Sequence, residues 1–386
     1  MRFPGFTDDW KKTTLGEITT NFNLRNKEQI DYPMFSVTNN RGFIPQSEQF
    51  EDREMKGEDI KAYKVIHHND FAYNPARINV GSIAKYNGYE PCMISSLYVC
   101  FKANNEVNED WLMHLLRTPK VQYYYQLNGE GGVRIYLFYP NFARIRTSIP
   151  SIEEQKKIAK ILSIIDERIA TQNKIIDNLQ SLIKGLIQHL VRVGLEKGTW
   201  KKVMLSDVLL ERNELNKEYY PVHSVSVSVG IVNQMEYLGR SFAAKDTAHY
   251  HVVKYGDIVY TKSPTGNQPY GIIKQSNCPN PVAVSPLYGV YEPCSFEIGN
   301  ILHYYFLNPL NTNNYLLPLI QKGAKNTINI TNRRFLENSI PLTLSKDEII
   351  SVSKTLSSLN TKIELENNTL DSLLMQRRFL LNQLFI

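Results

Sequence analysis

A chain of 386 residues, 42% hydrophobic and 21% charged, is too long for one small domain and ordinary for a protein with two globular units and additional helices. Its formal net charge of +6 is too mild to establish nucleic-acid binding by composition. No run of about 20 apolar residues reads as a membrane span, Met1 to Trp10 have neither part of a signal peptide, and four cysteines without C-x-x-C spacing argue against zinc or a disulfide framework and for a reducing cytoplasm.

Residues 1–150 read as a mixed α and β domain dominated by strands. The segments Tyr32–Val37, Val65–Tyr73 and Leu97–Phe101 are rich in β-branched and aromatic residues and bounded by Gly, Asn and Pro. A short helix is predicted over Glu109–Arg117, closed by Pro119. Two polar stretches, Asn39-Asn40-Arg41-Gly42 and Tyr73-Asn74-Pro75-Ala76-Arg77, read as exposed turns.

A long helix follows within 151–199, which also holds the linker to the next domain. Ser151 and Glu154 form a capping-box signature. Apolar residues then recur at alternating steps of four and three: Ile158, Leu162, Ile165, Ile169, Ile176, Leu179, Ile183, Leu186 and Leu190. That is a coiled-coil seam.

Residues 200–344 repeat the first domain. Trp10-Lys11-Lys12 returns as Trp200-Lys201-Lys202, Tyr32-Pro33 as Tyr220-Pro221, and Gly42 as Gly230. Tyr63, Val65, Asp70 and Tyr73 return as Tyr250, Val252, Asp257 and Tyr260, and Ile149-Pro150 as Ile340-Pro341. Strands are predicted in Val222–Val232, Asp257–Tyr260 and Leu287–Tyr291, a helix over Gly299–Asn308 closed by Pro309, and an exposed turn at Lys262-Ser263-Pro264-Thr265-Gly266-Asn267. Residues 345–386 repeat the helix. Ser345 and Glu348 repeat the cap, and Val352, Leu356, Leu359, Ile363, Leu370, Leu373, Leu380 and Leu384 repeat the seam. Gln172 and Glu366 interrupt both copies at one register, a device that fixes pairing at a cost in stability. Arg377 also falls in the seam, close enough to the helix end for its head to reach water.

The fold class is therefore α+β: two tandem, similar mixed α/β domains separated by two long helices that form an antiparallel coiled coil with pseudo-twofold symmetry. The antiparallel sense follows from connectivity. Helices of about 40 residues are about 60 Å long, and because compact domains usually have neighbouring termini, an antiparallel pair is far easier to connect than a parallel one.

No catalytic signature survives inspection. There is no Walker loop and no H-E-x-x-H pair, and Gly129-Glu130-Gly131-Gly132 lacks the setting of a dinucleotide site. Asn74-Pro75-Ala76-Arg77 has only half of the motif of amino-methylating DNA methyltransferases, and His67-His68 and His249-x-His251 lack a third metal ligand. What remains is binding surface: Arg, Lys, Asn, Ser and Tyr on loops beside glycine, types that reach base edges or bond phosphates. The candidates are Asn40, Arg41, Asn74, Arg77, Arg134 and Tyr136 in the first domain, and Lys262, Thr265, Asn267, Lys325, Asn326 and Asn329 in the second. Outside the seam, Ile161, Ile175, Leu182, Ile187, Leu374, Phe379 and Leu381 widen the apolar stripe enough for a partner's helices.

Arg2-Phe3-Pro4-Gly5-Phe6, Trp10 and Leu15-Gly16-Glu17-Ile18 resemble the N-terminal signature of DNA specificity (S) subunits of type I restriction-modification systems. The run from Ile149-Pro150-Ser151 through Glu153-Glu154-Gln155 to Ile158 resembles that family's first central helix start. The second copy, Ile340-Pro341-Leu342-Thr343-Leu344-Ser345, keeps Ile-Pro and a cap but lacks the Glu-Gln pair. The resemblance implies two target recognition domains, each reading one half of a split, asymmetric site on double-stranded DNA, so that the helix pair sets an unread spacer. It implies two methyltransferase subunits assembled on the helices and two motor-nuclease (restriction) subunits joining them. Those partners use S-adenosylmethionine, ATP and magnesium to methylate adenine N6 and cut, while this chain holds no cofactor and is not itself an enzyme. Two other readings remain: a self-sufficient adenine methyltransferase, which needs a cofactor site in a chain already occupied by its duplication, and a coiled-coil scaffold without DNA contact.

Overall fold

The computed structural model describes residues 2–49, 60–131, 135–239, 246–262, 265–322 and 328–385. The first domain runs β1 (Lys11–Thr14), α1 (Leu15–Ile18), β2 (Thr19–Phe22), β3 (Phe35–Thr38), β4 (Gly42–Pro45), α2 (Gln46–Gln49), β5 (Lys64–Ile66), β6 (Phe71–Tyr73), β7 (Ile83–Lys85), β8 (Cys92–Ile94) and β9 (Val99–Ala103). It closes with α3 (Glu109–Leu116), α4 (Pro119–Leu127), α5 (Tyr139–Ala143) and β10 (Arg146–Ile149), and the long helix α6 (Ile152–Lys197) follows. The second domain runs β11 (Trp200–Met204), β12 (Leu209–Glu211), β13 (His223–Ser226), β14 (Gly230–Asn233), α7 (Gln234–Leu238), β15 (His251–Val253), β16 (Ile258–Thr261), β17 (Ile272–Gln275), β18 (Val282–Val284) and β19 (Gly289–Pro293). It ends with α8 (Phe296–Phe306), α9 (Pro309–Leu316), β20 (Gln321–Lys322), β21 (Ile328–Asn329), α10 (Asn332–Phe335) and β22 (Ser339–Thr343), ahead of the long helix α11 (Lys346–Leu384).

The duplication extends to topology. The first domain holds an antiparallel sheet in the order β2-β9-β6-β7, and the second holds one in the order β12-β19-β16-β17. Each has the same satellite pairs, β3-β4 and β5-β8 answered by β13-β14 and β15-β18. A three-ring stack also repeats. Phe142 lies 5.3 Å from Tyr73 and 5.2 Å from Phe101, and Phe335 lies 4.7 Å from Tyr260 and 4.6 Å from Tyr291. These rings are fully buried and supply much of the apolar area of each core.

Some expected elements divide. Val65–Tyr73 is two strands, because Asp70 turns the chain by accepting from the His67 N–H at 2.8 Å and Asn69 takes a positive φ of 67°. The second domain repeats the turn with Asp257, Lys254 and Gly256 at a φ of 87°. Pro119 and Pro309 do not merely stop a helix; each occupies the first turn of another, where its missing N–H costs nothing. The first long helix ends at Lys197, before Gly198 at a φ of 72°.

First and last strands of each domain are neighbours. β1 pairs with β10 and β11 with β22, both antiparallel, so the chain leaves each domain where it arrived. The compact units cut across the expected domain–helix boundaries: one comprises Met1–Gln172 with Thr369–Ile386, the other Asn173–Asn368. Each unit therefore contains the start of one long helix and the end of the other, which makes the pair antiparallel. In the first unit Ile158 and Leu162 of α6 share a core with Leu381 and Leu384 of α11. Arg377 is not turned to water as expected; its guanidinium grips the Asp166 carboxylate with both Nε and Nη2. Along the seam Ile165, Ile176, Ile183, Val352, Leu356, Ile363 and Leu373 are buried, while Ile169, Leu179, Leu186, Leu190, Leu359, Leu370 and Leu380 are half-buried.

The two helix caps depart from the reciprocal box. Ser151 and Ser345 do accept from the Glu154 and Glu348 amides, at 3.4 and 3.5 Å. The glutamate side chains turn elsewhere, because stronger donors stand at the start of the same domain. Glu154 receives Arg2 through Nε at 3.1 Å and Nη2 at 2.7 Å, and Glu348 receives the Trp200 indole N–H and the Thr343 hydroxyl, each at 2.7 Å. Gln155, fully buried, donates to the carbonyls of Glu106 and Pro150 and accepts from the Asn108 amide. Its counterpart in the second copy is the buried Ile349. Replacing Gln155 by leucine strands those three backbone groups, and the expected cost is about 2–4 kcal/mol. Thermal unfolding of Gln155→Leu checks this; a melting temperature equal to wild type contradicts it.

Candidate nucleic-acid interface

In the first domain three loops meet along one edge. The β3–β4 hairpin turns through Asn39, Asn40 and Arg41, with Thr38 opposite Gly42. Gly42 has a φ of 67°, and the Thr38 hydroxyl accepts from the Arg41 amide at 3.1 Å. The loop 74–82 packs under this tip. Ser82 Oγ donates to the Val37 carbonyl at 2.8 Å, and Gly81, at a φ of 98° that favours glycine, lies beside Asn39. The third, at 135–138, is tied to the second by a bond from the Leu137 amide to the Pro75 carbonyl at 3.0 Å.

Four of the expected residues point outward from these loops. Asn40, Arg41, Arg77 and Tyr136 are exposed, although Arg41 is held by Glu48 at 2.5 Å. Asn74 instead shapes the turn, its Oδ1 accepting from the Ala76 amide at 3.0 Å. Arg134 lies outside the described residues.

Below the hairpin tip a cleft of about 410 Å³ is lined by Asn40, Arg41, Lys85, His114, Arg117 and Asp166. Burial pushes the His114 imidazole well below its ordinary range, the pull of Asp166 opposes this, and Arg377 and Arg117 add to the fall. His114 is thus neutral at physiological pH, and its 4.0 Å approach to Asp166 is not an ion pair. Arg377 is the cation that Asp166 answers.

In the second domain Thr265 and Asn267 occupy an exposed turn closed by mutual backbone bonds between Thr265 and Gln268 at 3.1 and 2.9 Å. Lys262 is half-buried, and burial lowers the pKa of its ammonium. Lys325 and Asn326 lie outside the described residues, and Asn329 is described only as part of β21.

Sequence reading missed three features here. The hairpin tip equivalent to Asn39–Arg41 is Val227-Ser228-Val229, with Ser226 opposite Gly230 at a φ of 96°. The Gly42–Gly230 match already marked that position. Phe138 is exposed and stacks on Tyr136 at 6.2 Å, a neighbour that the alternation Tyr136-Leu137-Phe138 signals. His68 and the highly exposed Tyr89 stack at 5.2 Å, a pairing no local pattern announces.

Of the expected partner surface, Ile175, Leu182, Leu374 and Phe379 are exposed and Ile161 is half-buried. Two residues must be removed from it. Leu381 is 6% exposed and belongs to the core of the first unit, and Ile187 is 2% exposed. Among the described residues no group of three or more His, Cys, Asp or Glu could hold a metal, and no helix is long and apolar enough to cross a membrane.

Residues 7–181 match the model of the type I restriction modification DNA specificity domain. Over 226 residues, 52% of this chain and 53% of the relative, the sequence is 26% identical to a Methanocaldococcus jannaschii protein assigned as the MjaX specificity subunit of a type I restriction enzyme. A match of 31% identity to the type I restriction enzyme MjaVIII specificity subunit of the same organism covers 118 residues, 30% of this chain and 27% of that one. The chain thus spans about half the length of the first curated relative and about a quarter of the second. Among solved structures, the type I restriction-modification S subunit from M. genitalium superimposes with a TM-score of 0.61 at 13% identity, covering 100% of this chain and 97% of that one. A chain from a structure describing assembly and conformational transition of the type I restriction-modification system does so with a TM-score of 0.50 at 14% identity, covering 98% of each. Residues 7–181 are thus similar in sequence to the DNA specificity domain of type I restriction-modification systems, and the whole chain is similar in fold to a solved S subunit of such a system.

Proposed function

We propose that this chain is the sequence-reading, non-catalytic subunit of a type I restriction-modification complex, and that it recognises a bipartite, asymmetric site on double-stranded DNA. The observation that carries the reading is the duplication: two domains with one sheet order, each followed by a long helix. Two similar scaffolds carrying different loop residues suit two half-sites of different sequence. Contacts to phosphates position such a domain, and contacts to base edges specify the site. In this reading the helix pair sets the number of unread base pairs between the halves. Reaction chemistry belongs to partner subunits using S-adenosylmethionine, ATP and magnesium, in the cytoplasm.

Mapping N6-methyladenine across a host genome, with the methyltransferase subunit expressed with or without this chain, tests the reading. The expected result is one split motif, methylated only when the chain is present. A methylation pattern indifferent to the chain contradicts it.

The exposed apolar residues of the helix pair, Leu374 and Phe379 with Ile175 and Leu182, are in this reading the seat of two methyltransferase subunits, which in turn recruit two restriction subunits. Covering what these four side chains still expose, 38–56% of each, stabilises an interface by several kcal/mol, at about 1 kcal/mol each. The double variant Leu374→Glu/Phe379→Glu should lose co-purification with the methyltransferase while keeping the wild-type melting temperature. A complex that survives both substitutions rules this surface out.

A further inference from the structure

Tyr136 and Phe138 flank Leu137, which is 0% exposed and packed in the core of the first unit. In extended chain, residues two apart share a face, so anchoring Leu137 turns both rings the other way. They lie nearly parallel, at an interplanar angle of 11°, and are 38% and 48% exposed. The backbone beneath them is held on both sides. Tyr136 and Glu130 exchange two N–H···O bonds of 2.8 Å, the Leu137 amide donates to the Pro75 carbonyl, and Phe138 caps the first turn of α5. A solvent-facing pair of aromatic rings on a braced scaffold loses little conformational freedom on binding.

The second domain provides an internal comparison. β20 and β21 pair Gln321 with Asn329, as Glu130 pairs with Tyr136, and Ile330 is 1% exposed, as Leu137 is buried. Thr331 then caps α10 where Phe138 caps α5. At the cap position the second domain's Thr331 uses its hydroxyl to accept from the Arg334 amide at 3.2 Å, whereas Phe138 makes no side-chain cap bond and leaves its ring exposed.

We propose that Tyr136 and Phe138 form an apolar reading surface for thymine 5-methyl groups in the major groove of the half-site taken by the first domain. This rests on the proposed DNA-reading function and deepens it. The methyl group is the apolar mark that separates thymine from the other bases in that groove, and aromatic side chains are among its natural partners. Insertion between base pairs is the other use of an aromatic side chain on DNA. It fits this site less well, because both rings are more than half covered and their braced backbone cannot advance into the stack. Exposed Arg77, on the loop bonded to Leu137, supplies a charge for the flanking phosphates.

The test uses the full chain assembled with its methyltransferase subunits, on duplexes carrying the motif found by methylation mapping. Replacing thymine by deoxyuridine in the first domain's half should weaken binding about fivefold, the equivalent of about 1 kcal/mol. The double variant Tyr136→Ala/Phe138→Ala should bind thymine and deoxyuridine duplexes equally and methylate a motif relaxed in that half alone. Retention of the second half-motif reports that the variant is folded. Tyr136→Phe keeps the ring and should behave as wild type. Equal binding of both duplexes by the wild-type complex overturns the inference while leaving the DNA-reading function standing. So does loss of the preference in Tyr136→Phe, or an unchanged motif in the double variant. If no motif depends on the chain at all, the functional reading fails and this inference falls with it.

Discussion

The carboxylate three residues after each helix cap is the point on which the architecture turns. Glu154 and Glu348 sit where a capping box asks them to bond back to their own cap, and both bond instead to the beginning of their own domain, through Arg2 and Trp200. With the first and last strands of each domain already paired, this fastens the first residues, the last strand and the following helix at one place. A buried, charge-assisted bond at a helix N-terminus also gains from the helix dipole. The direction of each long helix is therefore decided by its domain. Closure of the second domain brings the end of α6 and the start of α11 to neighbouring strands, and an antiparallel pair follows without any long connection.

That arrangement merges helix and domain. The far end of α11 is not a free strand of coiled coil but a wall of the first domain's core, with Leu381 and Leu384 beside Ile158 and Leu162, and Phe385 in edge contact with Trp10 at 6.5 Å. The two domains have kept this frame while exchanging what it carries. Buried Asp70 and Asp257 hold the same turn, yet Asp257 is answered at 2.8 Å by Arg212, just past the end of β12, and Asp70 at 3.5 Å by Lys102 of β9. The compensation preserves a paired buried charge, whose loss is costly, while allowing the surrounding surface to drift. Hairpin tips show the same pattern. The frame repeats and the exposed residues do not, which suits the proposed reading of two different half-sites.

Much of this was legible in the sequence because it rests on periodicity and on repeats. Heptads, caps, the matched Asp70 and Asp257, and the matched Gly42 and Gly230 all leave local marks. Arg377 was not legible. A basic residue in a seam reads as one that escapes to water, and only the antiparallel register reveals Asp166 across from it. Leu381 and Ile187 look like surplus apolar surface until domain contacts are known, because a sequence does not say which side of a helix a neighbouring domain covers. The candidate site was legible as a set of loops but not as one edge. The contacts that unite it, Ser82 to Val37 and Leu137 to Pro75, are long-range bonds to backbone carbonyls, which no side-chain pattern encodes.

The antiparallel sense of the helix pair is the claim on which the rest stands, and a distance measures it directly. Spin labels would be placed at exposed Lys160 and Arg378, with Cys278 and Cys294 replaced by serine. Cys92 and Cys100 are buried, with thiols pushed up to about 12, and stay unlabelled. With Asp166 facing Arg377, pulsed electron resonance should return a distance below about 25 Å, set by an interaxial separation of about 10 Å plus label length. Parallel helices in matching register would part the sites by about 24 residues, or about 36 Å along the axis, and a distance in that range would contradict the account.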